Sequence, residues 1–162
     1  MIDPALESRA RFTNMVAEAL ALIETSDPTR FRRVQSRIRT IVNTVGIIGS
    51  AYQALLRVCM VNPQNFGYQG ARTGSVEFLA STLVHDATFG HLLSKGILRT
   101  SANYDRFDRI CCREAQRFMQ RLGLTKTPWD PEHLSRLGRM QTLTAGLKEF
   151  ASSERDAKSD DG

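Results

Sequence analysis

The chain has 162 residues and a mass of 18.2 kDa, room for one domain with a real core and no need of staples. Hydrophobic residues are 41% and charged residues 24%, the balance of a globular protein, and no apolar run approaches the roughly 18 residues of a membrane span. The net charge is +5, but the stretch from Lys148 onward holds three bases and five acids, so the preceding body is more basic than the whole.

Asp3-Pro4 opens a helix, with an acid as N-cap and proline at the first helical position. Leu6, Ala10, Thr13, Ala17, Leu20 and Ile23 follow at helical spacing, with Phe12, Val16 and Ala19 beside them. Thr25-Ser26-Asp27-Pro28 ends it, and 29–36 reads as a short second helix or a turn. Residues 38–48 are rich in Ile, Val and Thr and predict a strand; 54–61 predicts a second. Residues 62–74, with Asn62, Pro63, Gly67, Gly70 and Gly74, predict a long loop. Ser75 then caps a helix to about Lys95, ended by Gly96. Apolar side chains lie on nearly every side of it, which predicts the central buried helix. A third long helix covers about 102–122, with Phe107, Ile110, Cys111, Phe118 and Leu122 on its apolar face and Gly123 as its stop. Asp130-Pro131 starts a last helix carrying Leu134, Leu137, Met140, Leu143 and Leu147. From Ser152 the chain is small and charged, the composition of a disordered tail.

Three cysteines, two of them adjacent at Cys111 and Cys112, argue against a disulfide framework and for a reducing cytoplasm. Met1-Ile2-Asp3-Pro4 lacks the basic-then-apolar layout of a secretory signal. Cys59 and Cys111 read as core and Cys112 as peripheral. Arginine forms two clusters. One is Arg30, Arg32, Arg33, Arg37 and Arg39, with no acid among residues 28–39. The other is Arg106, Arg109, Arg113, Arg117 and Arg121, a single stripe on a helix. Both are open to two readings: a solvated face, or a surface for nucleic acid or another polyanion. Glu114 falls on the apolar face of its helix, where a carboxylate needs a partner such as His85 or an arginine.

The central helix contains Leu83-Val84-His85-Asp86-Ala87-Thr88-Phe89. Together with Gly96-Ile97 and the stretch from Arg106 through Glu114 to Phe118, it resembles a bacterial family of zincin-like metallopeptidases. Their helix reads Leu-Val-His-Glu-Ala-Thr-His. In that motif two histidines four apart hold zinc, and the glutamate activates a water. The resemblance covers roughly 38–122. It implies that His85 stands at a zinc-ligand position and Asp86, one methylene short, at the general-base position. It places either Asp108 or Glu114 at the third ligand. Phe89, which holds no metal, replaces the second histidine.

The expectation is an α+β fold, zincin-like and mainly helical, with a single domain over 1–151, a tail over 152–162 and a small sheet before a central helix. The function expected is a degenerate zincin, a pseudoenzyme or binding protein of the cytoplasm that holds no cofactor. One alternative is an active hydrolase with zinc in an atypical site of His85, Asp108 and Glu114. The other is a basic module binding nucleic acid or another polyanion.

Overall fold

A computed structural model of the chain describes residues 4–44, 50–62 and 76–124. The 62–74 loop beyond Asn62, the last helix and the tail lie outside these residues. Among the described residues, four helices and a three-stranded sheet form an α+β arrangement that is mostly helical. None of these helices is long and apolar enough to cross a membrane.

Helix α1 runs Pro4–Ser26. Its buried side is set by bulk: Phe12, Val16, Ala19 and Ile23, three and four residues apart, face the core. Ala10, Thr13 and Ala17, at the same spacing one row away, stay exposed, because that row holds nothing bulkier than threonine, whereas Ala19 is buried with the bulky row of Phe12, Val16 and Ile23. The short segment after it is a true helix, α2 (Pro28–Arg37), with Asp27 as N-cap and Pro28 in the first turn.

The sheet comprises β1 (Thr40–Asn43), β2 (Ser50–Gln53) and β3 (Val58–Val61), in the order β1-β3-β2. β1 runs parallel to β3 with Ile41 opposite Cys59; β2 runs antiparallel to it with Tyr52 also opposite Cys59. β3 is therefore the middle strand, and its alternate residues Cys59 and Val61 are fully buried. The expected strand over 54–61 is only half right. Ala54 to Arg57 form the turn between β2 and β3, with Arg57 in the left-handed region at φ 57°. Leu55 there is 96% exposed.

Helix α3 (Val76–Ser94) is the hub. It packs against α1, α2, β2 and α4 (Tyr104–Arg121). Leu79, Ala80, Leu83, Val84 and Ala87 are buried on it. Both α3 and α4 end in the same glycine device. Gly96 and Gly123 take positive φ, and the amides of Ile97 and Leu124 reach back to Leu92 and Met119 carbonyls. Helix α4 buries Phe107, Cys111, Cys112, Ala115, Phe118 and Met119 against α3, while Ile110 turns outward.

Candidate functional site

His85 and Asp86 lie in the middle of α3, where the helix is buried on nearly all sides. The Asp86 carboxylate is all but inaccessible and divides its oxygens between two partners. Oδ1 lies 2.9 Å from His85 Nδ1, and Oδ2 accepts from Cys59 Sγ at 3.0 Å. His85 is hydrogen-bonded in turn to Cys112 on α4. Four side chains from β3, α3 and α4 thus form one polar string through the core: Cys59, Asp86, His85 and Cys112. Burial works against a charge on the His85 ring, but the bonds to Asp86 and Cys112 outweigh it, and the pKa rises to about 10. Burial, with Asp86 adding to it, pushes the Cys59 thiol well up. The Cys111 thiol is also raised by burial.

Cys112 is only 4% exposed and is no peripheral residue. Its role was readable in principle: Cys112, Ala115 and Met119 recur at three and four residues, a second buried row beside Phe107, Cys111 and Phe118. What spacing could not show is that this row meets His85. All three cysteines are free thiols.

The three residues expected as metal ligands have separate partners. His85 belongs to the core string. Asp108 lies 3.7 Å from Arg99 at the start of α4. Glu114 is enclosed by arginines: Arg30 Nη2 at 2.9 Å, Arg117 Nη1 at 3.0 Å and Arg33 Nη1 at 3.6 Å. An arginine, not His85, neutralises the carboxylate on the α4 face. Among the described residues, no group of three or more His, Cys, Asp or Glu side chains is arranged to hold a metal ion.

Phe89, one turn beyond His85, packs edge-on to Phe107 with ring centroids 4.9 Å apart and to Tyr52 at 5.9 Å. The Arg99 guanidinium lies over its face at 5.6 Å and over Tyr104 at 3.9 Å. Gly90 is the reason Tyr52 fits. A Cβ at this position would stand 2.5 Å from the Tyr52 hydroxyl, which itself donates to the Arg37 carbonyl at 2.5 Å.

The arginine stripe Arg106, Arg109, Arg113, Arg117 and Arg121 is exposed along its whole length. Its C-terminal part does structural work. Arg117 holds Glu114, and Arg121 reaches Asp27 at 2.9 Å. Asp27 also accepts the Arg30 amide and guanidinium. Burial alone would raise the Asp27 carboxyl; the Arg30 bonds and charge, then Arg121, hold it below its usual value. Arg109 Nε donates to the Asp105 carbonyl, while Arg106 and Arg113 make no ion pair among the described residues.

Comparison with protein-family models, with the curated proteins and with the solved structures finds no match in any of the three.

Proposed function

We propose that this chain is a catalytically silent, zincin-like protein of the cytoplasm, one whose metal position is closed and which acts by binding. One observation carries the reading. Phe89 stands where the peptidase motif requires its second histidine, and its ring is packed between Phe107 and Tyr52 under Arg99. The His85 nitrogen facing Asp86 is already spent on that carboxylate. The acid that would act as base is therefore bonded through one oxygen to the imidazole and through the other to Cys59, and is nearly closed off from solvent. Three buried free thiols support the reducing compartment.

The test is the metal content of the purified, untagged protein by elemental analysis, beside Phe89→His and Phe89→His/His85→Ala. The expected result is no stoichiometric metal in the native chain. Phe89→His should take up zinc, because Asp86 and Cys112 already flank His85, and the added His85→Ala should abolish that uptake. Stoichiometric metal in the native chain would establish the active-hydrolase alternative instead. A folded Phe89→His that takes up no zinc would remove the zincin reading.

A further inference from the structure

Helices α2 and α3 meet along a seam that is polar on both sides. Arg33 and Arg37, one turn apart on α2, line it from one side. Thr88 and His91 on α3, with Lys95 just past its end, line it from the other at spacings of three and four residues. Arg33 Nη1 donates to Thr88 Oγ1 at 3.4 Å, which fixes the register of the two helices. Arg37 is pinned by its own carbonyl, which accepts from Tyr52 against Gly90.

The charges here do not balance. Arg37 makes no ion pair among the described residues, and its buried Nε has no hydrogen-bond partner there. Lys95 likewise makes none. The one carboxylate at the edge, Glu114, touches Arg33 at 3.6 Å but is shared with Arg30 and Arg117. Burial, followed by the charges of Arg33, Arg37 and Lys95, lowers the His91 pKa, and no acid offsets them. Folded proteins rarely leave cations gathered beside a buried, unpartnered guanidinium nitrogen without a counter-charge.

We infer that this seam is a binding site for a phosphate group, held by Arg37, His91 and Lys95 with Arg33 and Thr88 at its edge. A tetrahedral dianion matches the donors on offer: a planar guanidinium fork, an ammonium and an imidazole N–H, while the Thr88 hydroxyl, which donates to the Val84 carbonyl at 2.8 Å, only positions Arg33. The site spans about one turn of α2 and two turns at the end of α3. It takes one phosphate group, whereas a nucleic-acid backbone would need a groove that continues past it. The site stands apart from the His85 string, and the inference does not depend on the zincin reading.

The experiment titrates the full chain with inorganic phosphate against sodium chloride of equal ionic strength, reading thermal stability and the His91 ring signals by NMR. Saturable stabilisation is expected. The His91 pKa should rise by roughly one unit as the dianion replaces the unbalanced field of Arg33, Arg37 and Lys95. Lys95→Met, an exposed change that leaves the core intact, should weaken phosphate binding about tenfold, and Arg37→Gln should do at least as much. Arg106→Ala on the α4 stripe should leave it unchanged. A stabilisation that rises without saturating and is equal in Lys95→Met would be exclusion of phosphate from the general surface and would overturn the assignment. So would an unmoved His91, or an equal loss in Arg106→Ala.

Discussion

Protonating His85 completes a line of charge-assisted bonds from Asp86 on one side to Cys112 on the other, so the folded state holds that proton more tightly than the unfolded chain does. The ordinary imidazole value is 6.5 and the folded value is about 10. The resulting stabilisation is fully present below about pH 6.5 and is lost as pH rises toward 10. His91, six residues on, has the opposite sign. Its folded pKa lies below 6.5, so its share of stability is present above that value and is lost as pH falls. Urea unfolding between pH 6.5 and about 8.5, below the range where the buried thiols Cys59 and Cys111 add their own decline, should therefore show a stability that falls with pH in the native protein. In His85→Gln the decline should be largely gone. A native curve as flat as that of His85→Gln would mean that the Asp86–His85–Cys112 string does not hold a proton.

The elements legible in the sequence were those whose signal is local. The cap at Asp27-Pro28, the all-round apolar run of α3, and the glycines after α3 and α4 each act within a turn or two of chain. What failed was what depends on distant partners. β2, four residues with a tyrosine and a glutamine, has no pattern of its own and is a strand because β3 offers it an edge. The Leu55-Leu56 pair reads as strand interior but sits exposed in the turn, because the left-handed Arg57 reverses the chain there. For the candidate site, His85 and Asp86 were visible as a motif. Cys59 and Cys112 were not, because each lies 27 positions from its partner and meets Asp86 or His85 only through sheet and helix packing. Gly90 belongs to the same class. Nothing in the sequence marks it as more than a helix-interior glycine, yet the Tyr52 ring occupies the space a Cβ would fill. Gly90→Ala gains helix propensity of about 1 kcal/mol but must displace a ring anchored on the Arg37 carbonyl and on Phe89. The clash wins, and a net loss of about 1–2 kcal/mol is expected. Its origin is checked by a double-mutant cycle. In a Tyr52→Ala background the alanine should become neutral or stabilising. An unchanged cost in that background would place the strain elsewhere.

Across the molecule, two carboxylates tie the helices together. Asp27 joins the start of α2 to the end of α4 through Arg30 and Arg121. Glu114 joins the middle of α4 to α2 through Arg30 and Arg33. Two electrostatic effects compete in a chain of net charge +5. Salt weakens these attractions, and it also weakens the mutual repulsion of the excess cations. The pairs lie at 2.9–3.6 Å, well inside a Debye length of about 10 Å at 0.1 M, and the two Glu114 pairs are largely shielded from solvent, so screening reaches those poorly and acts mainly on the exposed Arg121. Native stability should then change little with sodium chloride. Glu114→Gln alters that balance. It leaves Arg30, Arg33 and Arg117 facing one another without their shared acceptor. Part of the loss is softened by solvent at Arg117, so a cost of roughly 2–3 kcal/mol is expected at low salt. The remaining interaction is repulsive and reaches the surface, where added salt relieves it. Unfolding midpoints at 0.05 and 0.5 M sodium chloride, ionic strengths chosen to bracket that screening range, should rise more in Glu114→Gln than in the native protein. Equal salt responses in the two would show that the arginines are spread apart in solution, and that the carboxylate is not what lets them share the α2–α4 contact.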